Sequence, residues 1–467
     1  MNAPARISPY LSGNFAPVRS EDIYSDVPVV GSIPELLEGT FYRTGPNPQF
    51  EPRDPNYHWF GGDGMVHAFR LSRGRVTYFN RYVRTPKWVA EQEVGHSVFG
   101  TFGNPLTTDP AYVGKESGVA NTNIVWHAGK LLALEEGHQP FEMDPENLSS
   151  RGYLDYAGAA RRFTAHPKID PETGELVFFA YMAGDMPFSK GMAYGVVDKG
   201  GTVTRLDRFE APYSSMVHDF LVTRKHVLFP ILPLTGSLER TMSGKPPFAW
   251  EPDKGSFVGV MARDSAVKTI RWFNTGPCYV FHPMNAWEEG DKIYAHVMQY
   301  EQAPLFPMAD GSPGNSDTNA RLALWTFDLK GNSDTIRREY IDDAQGEFPR
   351  LDERRAGLSY RHGYFAANMN GKAGVAFDAI AHIDHKSGKR VQCVFPEGDV
   401  PGEPVFAPRQ LDSEEGDGWL VGVIYRASEN RSDFFVIDAQ DVAAGPVAVA
   451  QLPRRVPFGF HGNWVGA

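Results

Sequence analysis

One pattern recurs along this chain from about residue 40 to 455: a short β-rich run, a tight turn and a second β-rich run. "NIVWHAGKLLALEEG" reads as two strands about an "AGK" turn, and "DPETGELVFFAYM", "NAWEEGDKIYAHVMQY" and "GDGWLVGVIYRASENRSDFFVIDAQ" repeat the theme. With 47 Gly and 36 Pro in 467 residues, long helical periods have little room. Many short antiparallel strands with no break in composition favour a β-propeller. Seven blades of about 60 residues would use the length, within the usual range for such rings. The expectation is one all-β propeller domain over residues 1–467, with capping insertions. In such a ring the last strand closes against the first. That accounts for an ordered, aromatic C-terminus, "VPFGFHGNW" (456–464), where a frayed polar tail is the usual outcome.

Hydrophobic residues make up 42% of the chain and aromatics 13%, enough for a large core and against disorder. The formal net charge is −11 and no basic cluster stands out, which argues against a nucleic-acid partner. Two cysteines, Cys278 and Cys393, supply neither a disulfide framework nor a thiolate zinc site. The N-terminus lacks the basic start and apolar run of a signal peptide. No apolar stretch reaches membrane-spanning length, so a soluble, cytoplasmic protein is expected. "HVLFPILPL" (226–234) is a candidate apolar surface patch for peripheral membrane contact or for capturing a greasy ligand. No oligomeric state follows from these features.

Four of the 14 histidines share a local style. His166 ("FTAHPKID"), His218 ("SSMVHDF"), His282 ("CYVFHPMNAW") and His461 ("GFHGNW") each follow a short apolar or small-residue run and precede a turn or new strand. Each lies in its own segment, so neither a zinc-finger nor an HExxH pattern exists. A propeller axis is where such scattered ligands could meet. Four neutral imidazoles suit a borderline metal such as Fe(II), Zn or Cu, with carboxylates needed behind the rings to orient them. Glu136 ("LLALEEGHQP"), Glu347 ("GEFPRLD") and Glu403 ("GEPVFAPR") stand in apolar or constrained settings that fit that task. His58, His67, His96, His127, His138, His226, His296, His362, His382 and His385 read as ordinary hydrogen-bonded, half-buried rings. The "GGDG" at 61–64 opens no helix after a strand, so it is a turn and not a dinucleotide loop.

The segments "GTFYRTGPNP" (39–48), "WFGGDGMVHAF" (59–69), "TAHPK", "MVHDF", "FHPMNAWEEGD", "EFPR", "GEPVFAPR" and "VPFGFHGNW" occur in this order across nearly the whole chain. Together they resemble the carotenoid cleavage oxygenase family. The resemblance implies a seven-bladed propeller with a loop and helix cap over an axial metal site and a hydrophobic substrate tunnel. It implies His166, His218, His282 and His461 as ligands of one Fe(II) per chain, with Glu136, Glu347 and Glu403 as the carboxylates behind three of the rings. Thr122 ("VANTNI") matches a threonine beside the open coordination position. The implied reaction needs no organic cofactor: O2 adds across an electron-rich C=C of a hydrophobic alkene, and two carbonyl products result.

Phe60, Phe102, Glu135 and Phe281 are the expected pocket residues. The branch of the family that cleaves hydroxystilbenes and isoeugenol carries a Tyr in "FGxYxNP" and a Lys before the first outer Glu, and both are thought to hold the phenol. Here "FGTFGNP" places Phe102, and "LEEG" places Glu135, at those positions. A carboxylate in place of a cation raises a neighbouring phenol's pKa and opposes phenolate. The expectation is therefore an apocarotenoid-type alkene, with phenylpropanoid or stilbene alkenes as the alternative.

Overall fold

The computed structural model describes residues 8–467 apart from 56, 103, 157–161, 316–318 and 372–376. Antiparallel strands dominate, and the only α-helices among the described residues are Pro86–Val94 and Leu238–Met242. The expected tight turns are present. Asn123–His127 and Lys130–Leu134 pair through a two-residue turn, Ala128 and Gly129, both at positive φ (50° and 74°). That conformation matches the right-handed twist of the flanking strands.

The strands form a seven-bladed β-propeller. Blade two spans 123–153, blade three 168–210 and blade four 221–275, each a four-stranded antiparallel sheet. Blades five and six are fused into one seven-stranded sheet by the long strand Arg337–Leu351. Its first part, Arg337 to Gln345, pairs with Arg321–Asp328 of blade five. The rest, from Gln345 to Leu351, pairs with His362–Asn368 as the innermost strand of blade six.

Both chain ends close the ring. The strand Val29–Gly31 adds to the outer edge of blade seven against Pro446–Gln451. The last strand, Gly462–Gly466, lies beside Gly39–Pro46 in blade one, with Arg43 opposite Gly462 and Gly39 opposite Gly466. Gly459, two residues before His461, has a steric reason. A Cβ on Gly459 would stand 3.1 Å from the Cα of Gly45, and one on Gly45 would stand 2.5 Å from the Cα of Gly459. The two backbones approach too closely for any side chain.

Inner strands of neighbouring blades touch around the axis: Tyr279–Glu289 meets Arg337–Leu351, which meets Val405–Pro408, which meets Gly462–Gly466, which meets Asn123–His127. Apolar side chains fill the space between sheets, with Trp325, Tyr78, Tyr194 and Tyr364 fully buried. No helix among the described residues is long and apolar enough to cross a membrane.

The segment 226–234 is not the surface patch its composition suggests. Val227 through Leu232, and Leu234, are all buried. His226–Ile231 is an interior strand of blade four, paired on one side with Leu221–Val222 and on the other with Ser256–Ala262. A strand covered on both faces reads as a continuous apolar run.

Candidate metal centre and substrate cavity

The four histidines converge. His166, His218 and His461 each stand just before the first inner strand of a blade, and His282 lies within one (Tyr279–Glu289). Their ligand atoms lie within 4.8 Å of one another, and all four side chains are buried. Backbone irregularities aim two of the groups. The register of Tyr279–Glu289 against its partner shifts between Val280 and Asn285, around His282. That of Arg337–Leu351 shifts between Glu347 and Arg350. Such bulges turn a side chain away from the regular pleat. Within the second shift Phe348 takes φ 53°, a conformation strained for a large side chain. Its ring lies 5.7 Å from that of His282 and 5.3 Å from that of His461.

Each of three rings is held from behind by a glutamate. His218 Nδ1 donates to Glu136 Oε1, and Tyr181 donates its hydroxyl to the other oxygen of that carboxylate. His282 Nδ1 donates to Glu347 at 2.6 Å. Glu347 also accepts the Phe348 N–H at 2.6 Å and the Tyr300 hydroxyl at 3.2 Å. His461 Nδ1 donates to Glu403 at 2.9 Å, and Glu403 also accepts the Gly462 N–H at 2.9 Å. Arg350 Nη1 lies 3.3 Å from the same carboxylate. Burial raises the Glu403 pKa, but Arg350, His461 and the Gly462 N–H outweigh it and hold the group near 2. His166 has no glutamate. Its Nδ1 faces Asp219 at 3.8 Å, and Asp219 pairs with Lys168 at 2.7 Å.

With Nδ1–H committed to a carboxylate, the Nε2 of His218 and of His282 carries a lone pair. These two atoms stand 3.1 Å apart, and His166 Nε2 is also 3.1 Å from His218 Nε2. Lone pairs facing at that distance repel unless a cation lies between them. Two nitrogens bound at right angles about 2.1 Å from one ion stand about 3.0 Å apart. The donor set therefore fits a nitrogen-ligated metal. Burial, with the neighbouring imidazoles, holds His166 far below the usual histidine pKa, and burial lowers His282 and His461 too. Burial also acts on His218, but Glu136 outweighs it and raises the group.

Two cavities reach this cluster. One, of about 840 Å³, touches His218, His282 and His461 and is walled by Phe60, Phe102, Phe248 and Phe281. The Phe281 ring stands edge-on to His218 at 5.2 Å, and Phe102 stacks on Phe248 at 5.3 Å. The helix Pro86–Val94 contributes Lys87 to this wall, and the rest is mostly loops, as expected of a cap. The other cavity, of about 870 Å³, reaches His166, His282 and His461 among Lys168, Asp219, Arg350 and Glu403, and has the more polar lining of the two. Thr122 lines the aromatic cavity. Its carbonyl accepts the His461 N–H at 3.2 Å, and its hydroxyl bonds Asn121 Oδ1 at 3.0 Å.

Glu135 also lines the aromatic cavity, but its carboxylate is committed elsewhere. It accepts the Val119 N–H at 2.8 Å and the Ala120 N–H at 3.4 Å, and pairs with His138 at 2.8 Å. Glu135 therefore does not oppose a phenolate as its charge alone suggests, because the His138 imidazolium offsets the carboxylate. Sequence reasoning did not single out Tyr181, Tyr300, Arg350 or Asp219. The last two stood inside quoted motifs, "EFPR" and "MVHDF", and so were within reach. The tyrosines have no local signal. Of the histidines read as ordinary, His67 bonds Tyr78 at 2.8 Å and His296 bonds Tyr360 at 2.6 Å.

The chain matches the family model described as retinal pigment epithelial membrane protein over residues 15–466. It is 40% identical to the isoeugenol monooxygenase of Pseudomonas nitroreducens, with 98% of each chain covered. It is 35% identical to the carotenoid 9,10(9',10')-cleavage dioxygenase of Crocus sativus, over 98% of this chain and 89% of that one. The crystal structure of the Pseudomonas brassicacearum lignostilbene dioxygenase has the same fold, with a TM-score of 0.94 at 34% identity and 100% of each chain covered.

Proposed function

The chain belongs to the carotenoid cleavage oxygenase family and is a dioxygenase, and from that premise we propose that it uses Fe(II) to cleave the side-chain double bond of an aryl alkene of phenylpropanoid or stilbene type. The observation that carries this reading is the junction of the four-histidine cluster with a cavity walled by phenylalanines. The likeness to isoeugenol and lignostilbene enzymes over almost the full length supports the aryl class. A polyene substrate is the second reading, favoured by the volume of the cavity and by the likeness to the Crocus sativus enzyme.

His166, His218, His282 and His461 would hold the ion, which when bound supplies the O2 chemistry that breaks a C=C bond. Glu136, Glu347 and Glu403 keep three rings in one tautomer with Nε2 turned inward. Phe281 and Phe60 wall the cavity beside the cluster and offer aromatic surface to a conjugated ligand. Thr122 lines the cavity, and its carbonyl holds the His461 backbone N–H.

The test is anaerobic loading with Fe(II), a metal assay, and mass spectrometry of products from isoeugenol, resveratrol and an apocarotenal. About one iron per chain and an aryl aldehyde from isoeugenol or resveratrol are expected. The alanine variant at any of the four histidines should lose both. Cleavage of the apocarotenal alone would overturn the aryl-alkene reading, and full iron retention in a histidine variant would remove that residue from the site.

A further inference from the structure

Nearly every ionic side chain on the aromatic cavity wall already has a partner. Lys87 is clamped by Asp63 at 2.7 Å and by Glu91 at 3.0 Å. Glu135 pairs with His138, and the other ring nitrogen of His138 meets Glu116 at 2.6 Å. Glu136 and Glu347 are bound to His218 and His282. Arg162 is the exception. It lines the same cavity, is half-buried, and makes no hydrogen bond or ion pair with any described residue. Tyr181, whose hydroxyl donates to Glu136, lines the same cavity.

A guanidinium offers five N–H donors in a planar fork and stays charged at any working pH. In a cavity walled by phenylalanines and with no acceptor among the described residues, those donors are satisfied best by an oxygen anion arriving with the ligand.

We propose that Arg162 is the substrate-binding cation of this enzyme, holding the ring oxygen of a hydroxylated aryl alkene. This rests on the aryl-alkene reading and deepens it. It supplies the positive charge that residue 135, a glutamate, does not. A cation there lowers the phenol's pKa from its usual value near 10 and favours the electron-rich phenolate.

The test uses metal-free full-length protein, so binding is read apart from turnover. Dissociation constants are measured by fluorescence for trans-4-hydroxystilbene, its 4-methoxy ether and the 4-carboxylate, with wild type, Arg162→Gln and Arg162→Lys. Wild type should prefer the hydroxy compound over the ether by about 10- to 150-fold, the range for one charge-assisted hydrogen bond. Arg162→Gln should erase that preference while leaving the ether's affinity unchanged, and Arg162→Lys should keep part of it. Tighter binding of the carboxylate than of the phenol, lost in Arg162→Gln, would keep the oxyanion site but assign it to an aryl acid. An unchanged hydroxy-to-methoxy ratio in Arg162→Gln, with the wild-type circular dichroism spectrum, overturns the proposal. If the iron-loaded wild type cleaves aryl alkenes and that ratio is still unchanged, only the role of Arg162 falls. If it cleaves none, the aryl-alkene reading falls and takes this one with it.

Discussion

His138 stands between two carboxylates, with Nε2 2.6 Å from Glu116 and Nδ1 2.8 Å from Glu135. Burial pulls its pKa down, but the two carboxylates outweigh burial and raise it from 6.5 to about 10. Because the folded value lies above the unfolded one, the stabilisation is fully present below about pH 6.5 and is lost as the pH rises through about 10. His138→Asn should therefore lower the Tm most between pH 5.5 and 6.5, with the gap to wild type closing by pH 10. A Tm series read by circular dichroism decides it, and a gap constant over that range would mean that His138 is neutral in the fold. The same geometry explains why a lysine does not suit residue 135 here. It would strip the Val119 and Ala120 N–H groups of their acceptor and set a second cation beside the imidazolium.

At the scale of elements, the terminal strand Gly462–Gly466 links closure of the ring to the site. Asn463 Oδ1 accepts from Arg350 at 2.9 Å, and its amide donates to the Ile124 carbonyl at 2.8 Å in blade two. Arg350 in turn reaches Glu403, the carboxylate behind His461. Deleting residues 463–467 keeps all four histidines but removes most of this strand. The deletion should lower both the Tm and the iron retained after gel filtration. Losing an outer support of a ligand typically weakens metal binding about 10- to 100-fold. Wild-type iron content in the deletion variant would show that the strand closes the ring without supporting the site.

Across the whole molecule, the four histidines come from blades one, three, four and five, so a bound ion ties together sheets that are otherwise joined through neighbour contacts. A metal that binds only the folded ring stabilises it by about 2.7 kcal/mol at a hundredfold excess over its Kd. For a chain of this length that is a rise in Tm of roughly 3 °C. Calorimetry with and without Fe(II), under anaerobic conditions, should show this rise in wild type and lose it in His166→Ala. Equal Tm values with and without iron in wild type would mean that the cluster binds no ion tightly enough to matter.

Fold class and the four converging histidines were legible in the sequence because the signals for both are local. A strand–turn–strand unit declares itself through turn residues and alternation, and a histidine or glutamate in a distinctive setting can be recognised where it stands. Even the closure of the ring showed locally, in an aromatic, glycine-flanked C-terminus. What stands behind those residues was not legible. Tyr181 and Tyr300 serve Glu136 and Glu347 only because sheet register and blade packing bring them there. Val29–Gly31 joins blade seven, and Arg337–Leu351 fuses two blades, through long-range pairing that no local pattern encodes. The segment 226–234 looked like a surface patch because hydropathy does not say which faces a strand has covered. Residue 135 shows the limit most plainly. Its identity told which charge it carries, but only the tertiary structure decided that two backbone N–H groups and His138 consume that charge before a substrate can feel it. Residue identity sets which bonds a side chain can make; packing decides which of them remain open.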